Sequence, residues 1–251
     1  MPAGYSSAAV PFLPIREALK PGRVRSRPNP VRLRVVVEPD EVEIEAEIGE
    51  QSAIPDLLEP GARVWCRVIP EAARAGTPFS AVLAQARGGA LVCLEPSRSV
   101  ELVARAVQEE TIPELASHSL ARRSVPYGSS RFDLELEDII GQSMLVMVET
   151  LPAVIDGAAL LPAGRSPRSV RQLRALARAV STGRASATVV LVAPRVDAEA
   201  IAVRPDLDPE YADALAEARG AGVRLLAHRC QVTLEEIGLG LALGLRPPTA
   251  G

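Results

Sequence analysis

Three acidic residues, Asp133, Glu135 and Glu149, sit at spacings that two short strands can bring together. Phe132 to Leu136 alternates apolar and acidic residues, Met144 to Val148 is a short apolar run, and Gly141-Gln142-Ser143 is a polar break between them. That pattern predicts a β-hairpin over Ser130–Glu149. Side chains alternate along a strand, so Asp133 and Glu135 share a face, and Glu149 closes the second strand. Carboxylates that converge from paired strands can hold a divalent cation, as phosphodiester chemistry needs. The same residues also read as the wet face of a hairpin, because acidic side chains are mostly exposed.

The segment Tyr127-Gly128-Ser129-Ser130-Arg131-Phe132-Asp133 resembles the Tyr-Gly…Ser-Arg-(Phe/Ile)-Asp signature of the sugar fermentation stimulation protein A family. Ile112-Pro113-Glu114-Leu115 is similar to that family's Ile-(Pro/Ser)-Glu-Leu, and Asp208-Pro209-Glu210-Tyr211 to its Asp-x-x-Tyr. The resemblance extends over most of the chain. It implies an α/β protein, α+β overall, with an N-terminal OB-like β-barrel followed by a nuclease-like α/β domain of the PD-(D/E)XK superfamily. It implies nucleic acid, DNA first, as the partner. In that superfamily an Asp and a Glu hold the metal, and a Lys two residues after the Glu assists the attacking water. Carried over, Asp133 and Glu149 are the catalytic and metal-binding residues, with Mg²⁺ or Mn²⁺ as cofactor if the site is active.

The motif is degenerate here. Aligned through Asp156-Gly157…Leu161-Pro162, the family's Glu-Val-Lys falls on Met147-Val148-Glu149. A thioether, a poor ligand for hard Mg²⁺, then stands in place of the metal-binding Glu. A two-residue shift instead keeps Glu149 as ligand and puts Leu151 in the Lys position. Lys is absent either way, since Lys20 is the only lysine in the chain. Arg cannot replace it, because its pKa above about 12 leaves it charged at neutral pH. The family's Thr-Glu-Arg-Gly falls on Ser166-Pro167-Arg168-Ser169, after Leu161-Pro162-Ala163, and a Glu that precedes its Val-x-Tyr-Gly falls on Ser124. Its Asn-Thr-Gly and Asn-Thr landmarks fall on Glu50-Gln51-Ser52 and Glu95-Pro96. Three readings follow: a nucleic-acid-binding protein with lost or impaired nuclease activity, an active metal-dependent nuclease using Asp133 with Glu149 and Glu135, and a protein-interaction module on a nuclease-like scaffold.

Positive charge is the polar feature retained. Pro167 to Val180 predicts a helix with Ser166 as N-cap and Val170, Leu173, Ala177 and Val180 as its buried stripe. Arg171, Arg174 and Arg178 recur on another face at three- and four-residue intervals. With Arg131 and Arg168 they can track a phosphate backbone without reading sequence, or form a solvated face.

Around these residues the chain reads in four parts. Residues 1–30 hold six prolines and an Arg cluster and predict a flexible leader. Residues 31–90 predict the barrel: Val31–Val37 and Val42–Ile48 alternate across a turn, Arg63–Ile69 follows, and Val82–Ala86 pairs with Leu91–Leu94 across Gly88-Gly89. Glu43, Glu45 and Glu47 share one face and would repel phosphate. Residues 91–238 predict the nuclease-like unit, with a helix over Ser99–Val107, strands over Thr188–Val192 and Val223–His228, and a helix opened by Asp208-Pro209. Residues 239–251 predict a fraying Gly/Pro-rich tail.

A net charge of -3 gives the whole chain no basic surplus, so any nucleic-acid surface must be local. Three widely spaced cysteines form no CxxC pair and read as buried thiols of a reducing cytoplasm. His118, and His228 with Cys230, have no second pair to make a zinc site. No apolar run reaches the ~20 residues that span a bilayer, and no signal-peptide pattern opens the chain.

Overall fold

The structure is a computed structural model and describes residues 10–49, 57–69, 78–162 and 164–246. In chain order the first strands are β1 (Phe12–Pro14), β2 (Lys20–Asn29), β3 (Arg32–Val37), β4 (Val42–Glu47), β5 (Arg63–Val68), β6 (Phe79–Gln85) and β7 (Leu91–Cys93). Strands β2 to β7 form one sheet in the order β4-β3-β2-β5-β6-β7. A parallel pairing of β4 with β6, through Ala46 and Phe79, closes five of them into a barrel. Alternation builds its core: Leu33, Val35 and Val37 are buried while Arg32 and Arg34 are not.

The outside of the barrel is charged and self-compensating. Arg34 lies opposite Glu45 in the β3–β4 ladder, and the pairs Arg23–Glu38, Arg25–Glu43 and Arg32–Glu45 lie at 3.3–3.4 Å. The Arg cluster is therefore not a free phosphate-binding arm, and Glu43 and Glu45 do not make a bare acidic face.

The second unit contains α1 (Pro96–Gln108), β8 (His118–Tyr127), β9 (Ser130–Asp138), β10 (Ser143–Thr150), β11 (Val154–Ile155), β12 (Ala158–Leu161), α2 (Pro167–Ser181), β13 (Ser186–Ala193), β14 (Ala200–Val203), α3 (Pro209–Gly220), β15 (Arg224–Val232), β16 (Glu236–Ala242) and β17 (Gly244–Arg246). A seven-stranded sheet runs β1-β16-β15-β13-β10-β9-β8, and β11-β12-β14-β17 form a smaller one. Strands β10, β13 and β15 are parallel, because α2 and α3 carry the chain back across the sheet between them. Strand β13 is apolar on both faces: Val189 and Leu191 pack with α2 and α3, and Val190 and Val192 pack with α1.

Strands replace both expected flexible ends. In residues 1–30, β1 joins the edge of the large sheet beside β16, and β2 is central to the barrel. Prolines are accommodated because they need give up only N–H bonds: Pro21 sits at the start of β2 and its carbonyl still accepts from the Glu38 N–H at 2.9 Å. At the other end, β16 and β17 occupy residues expected to fray from Leu239. Gly240 permits close approach there, since a Cβ would stand 3.1 Å from the Arg229 carbonyl oxygen. The boundary expected at residue 90 falls inside the β6–β7 hairpin, so the barrel sheet continues through Cys93. Glu50-Gln51-Ser52, Ala163 and residues 247–251 lie outside the described residues.

Cys66, Cys93 and Cys230 are buried free thiols, and burial pushes the first two up to about 12. Among the described residues no helix is long and apolar enough to cross a membrane.

Candidate functional site

The expected hairpin forms, with β9 and β10 paired antiparallel from Glu137 and Ser143 to Leu134 and Val146. The ladder stops there. One residue on, the Asp133 carboxylate replaces a strand partner by accepting the Val148 N–H at 2.7 Å. This turns Asp133 into the end of a cleft of about 1360 Å³, lined also by Glu149, Arg131, Arg165, Arg168, Ser169 and Gln172.

The structure gives the two candidate positions of β10 different surroundings. Met147 is 2% exposed and packs in the core against α2. Glu149, two residues on, is on the same face but meets the first turn of α2 at Ser169, where both line the cleft. Leu151 is buried in the core, and no lysine lines the cleft. Glu135 does not join the site: its carboxylate is taken by the Arg122 guanidinium and by the Ser143 hydroxyl at 2.6 Å. Glu95, another acid introduced at a family landmark, is held by Arg98 and Arg67.

Two helix caps fix Glu149. Ser166 caps α2 by accepting the Ser169 N–H at 3.3 Å, and its hydroxyl donates to the Ser169 hydroxyl at 2.7 Å. The Ser169 hydroxyl in turn donates to Glu149 at 3.1 Å. Asp208 caps α3 by accepting from the Tyr211 N–H, and its other oxygen accepts the Ser166 N–H at 3.0 Å. The two caps therefore form a single chain of bonds ending on the Glu149 carboxyl.

Burial pushes the Glu149 carboxyl up to about 7; Asp133 adds to the shift, and the Ser169 hydroxyl and Arg168 oppose it. Solvent still reaches part of the side chain from the cleft. Burial likewise raises Asp133, against the Val148 N–H and the Arg168 charge. Beneath them the Tyr211 hydroxyl is buried with no hydrogen-bond partner, and burial beside Glu149 and Asp208 raises its pKa.

The expected Arg row divides. Arg168 lines the cleft with Arg131, whose Nη1 donates to the Ser124 carbonyl and hydroxyl. Arg171 and Arg178 are exposed outside the cleft. Arg174 is compensated by α3, through Glu210 at 2.9 Å and Glu217 at 3.8 Å. Sequence reasoning missed Ser169 and Gln172, whose amide bonds the Arg131 carbonyl. Their signal was present as a polar 165–169–172 stripe at helical spacing, beside the Arg row. It also missed the barrel residues Asn29, Pro30 and Val31, which line the cleft from the other unit. His118 and His228 lie elsewhere, and His228 Nδ1 is 3.3 Å from the Gly240 carbonyl oxygen.

As a cation site, Asp133 and Glu149 offer hard oxygen ligands whose mutual repulsion a cation would relieve. Among the described residues no third His, Cys, Asp or Glu joins them. The pair fits a divalent ion that keeps most of its water, as Mg²⁺-type ions do.

Comparison with known proteins bears on this site. Residues 97–236 match the model of the sugar fermentation stimulation protein RE domain. A sugar fermentation stimulation protein homolog of Rhodospirillum centenum is 33% identical over 214 residues, covering 84% of this chain and 90% of that protein. One from Chloroflexus aurantiacus is 32% identical over 197 residues, covering 78% and 74%. The solved structure of Pyrococcus furiosus SfsA in complex with Ca²⁺ superposes with a TM-score of 0.81 at 22% identity, over 94% of this chain and all of that one.

Proposed function

We propose, from the premise that the chain belongs to the sugar fermentation stimulation protein family, that it binds nucleic acid in this cleft with its nuclease chemistry lost or impaired. The observation that carries the reading is the composition of the cleft. Arg131, Arg165 and Arg168 line it and make no ion pair among the described residues, unlike Arg174. Guanidiniums that no close ion pair holds, with Arg168 feeling only the longer-range charge of Asp133 and Glu149, are suited to phosphate oxygens, in a sequence-independent and salt-sensitive way. DNA is the partner the family resemblance favours. Arg171 and Arg178 extend the same charge beyond the cleft.

The hydrolytic side is weaker. A divalent cation, of the kind present in the Pyrococcus furiosus structure as Ca²⁺, would be held by Asp133 and Glu149. Bound there, it would supply Lewis-acid polarisation of a phosphate and a more acidic water. Arg131 and Arg168 would orient the phosphate, and the Ser166–Ser169 bonds would aim Glu149. The cleft has no lysine to assist the attacking water.

Two measurements test the proposal. Anisotropy titrations of labelled DNA over a range of salt should give a steep negative slope that Arg168→Ala and Arg131→Ala each make shallower by about one unit. A cleavage time course with Mg²⁺ or Mn²⁺, with Asp133→Asn in parallel, should show little or no product from either protein. Cleavage by the wild type alone would establish the active-nuclease reading instead, and salt-independent binding would sink the phosphate-binding one.

A further inference from the structure

The cleft has two chemically different walls, supplied by different parts of the chain. One is cationic, with Arg131 from the start of β9 and Arg165 and Arg168 from the entry to α2. The other carries an apolar patch, with Pro30 and Val31 from the turn between β2 and β3 and Pro96 and Val100 from the first turns of α1, set among Asn29, Ser97 and Arg123, whose guanidinium is paired with Glu101 of α1. The apolar wall is pinned: Asn29 Oδ1 accepts the Val31 N–H at 3.0 Å, Arg27 donates to the Pro30 carbonyl at 2.8 Å, and the Ile48 N–H bonds the Val31 carbonyl at 3.0 Å. Val31 nevertheless leaves 37% of its surface exposed, so it is available to a ligand rather than consumed by the barrel core.

An unpaired nucleic-acid strand has this same division, with phosphodiester on one side and apolar base faces on the other. A duplex hides its base faces in the stack and presents phosphate and sugar outward on every side, with base edges only in the grooves. The volume agrees. At about 1360 Å³ the cleft exceeds the range of about 300–1,000 Å³ usual for small-molecule sites. It suits a few nucleotides, the low end of the about 4–16 that single-strand-binding barrels engage. Phe132, the one aromatic residue at the cleft, is fully buried, so base faces would meet aliphatic side chains rather than an aromatic stacking platform.

We infer that the occupant of the cleft is a short unpaired stretch of nucleic acid, held by phosphate on the Arg wall and by base faces on the Pro30–Val31–Pro96–Val100 wall, in preference to duplex. The barrel thereby acts as a strand selector for the second unit. The inference rests on the proposed nucleic-acid reading and adds the strand state of the ligand.

The test uses the full chain and a labelled twelve-nucleotide DNA, single-stranded or annealed to its complement, at matched salt. The single strand should bind at least about tenfold tighter. The double variant Pro30→Ser with Val31→Ser should lower single-strand affinity about three- to tenfold and leave duplex binding unchanged; the near-isosteric Val100→Thr supplies the same comparison if that variant fails to fold. Equal or tighter binding of duplex by the wild type overturns the inference while leaving the nucleic-acid reading intact. An equal loss on both ligands from the wall variants does the same. Absence of binding to either form at low salt overturns both.

Discussion

Replacing Glu149 by Gln tests the electrostatics of the cleft without touching its shape. In the wild type the carboxyl is held at about 7 against an ordinary 4.5, burial being the largest cause. A folded pKa above the unfolded one means that the folded protein binds the extra proton. The stability from this group is therefore full below about pH 4.5 and is lost as pH rises through about 7. At about 1.4 kcal/mol per pH unit, a carboxyl wholly withdrawn from water would forfeit about 3 kcal/mol over that window. Solvent entering from the cleft shields part of the Glu149 side chain, so about 2 kcal/mol is expected. The Glu149→Gln amide carries no charge at any of these pH values and still offers an oxygen to the Ser169 hydroxyl. Asp133 titrates in both proteins and cancels to first order in the comparison. Urea denaturation of both proteins at about pH 5 and about pH 8, with chelator present to exclude cations, gives the result directly. The variant should gain about 2 kcal/mol on the wild type between the two conditions. Parallel stability profiles would show that the Glu149 carboxyl is solvated like a surface acid, and the buried-acid account of the site would be wrong.

Two further substitutions probe the frame around the site. Tyr211→Phe removes a buried hydroxyl that has no hydrogen-bond partner, and such a group costs about 1–3 kcal/mol; thermal or urea unfolding should show the variant equal to the wild type or up to about 1 kcal/mol more stable. A clear loss would mean that the phenol has a partner. Arg98→Ala opens the cluster in which Arg98 and Arg67 bind Glu95 and Glu17, tying α1 to barrel strand β5. With Arg67 left to cover both acids, the loss should be about 1–2 kcal/mol, and it should shrink in high salt. A change within about half a kcal/mol would mark the cluster as a surface network.

Much of the local structure was legible because it follows from short-range rules. Alternation identified β3, β4 and β9, apolar runs identified β10 and β13, and Ser166 and Asp208 announced the starts of α2 and α3, whose caps the structure contains. The Tyr127–Asp133 signature identified the family, and Asp133 and Glu149 do line one cleft. Where local rules misled, a distant partner overrode them. Prolines near the N-terminus and glycines near the C-terminus argue for flexibility on their own, yet β1 and β16 pair across 226 residues from Phe12 to Gly238, a contact no local window contains.

The same limit governs the site. Sequence supplied the residue types, the absence of lysine, and the two candidates Met147 and Glu149 for the position beside Asp133. Parity could not separate those two, because residues two apart on a strand share a face. What separates them is which part of α2 they meet: Met147 is buried in the core with the apolar residues of the helix, and Glu149 meets the hydroxyl of Ser169 in its first turn, at the cleft. Tertiary contacts likewise compensate Arg174 with acids of α3, remove Glu135 to Arg122, and bring the β2–β3 turn of the barrel across from Arg168. Charge and apolarity are written residue by residue in the chain, but which charges remain unpaired and which surfaces face one another is set by packing between segments far apart in sequence.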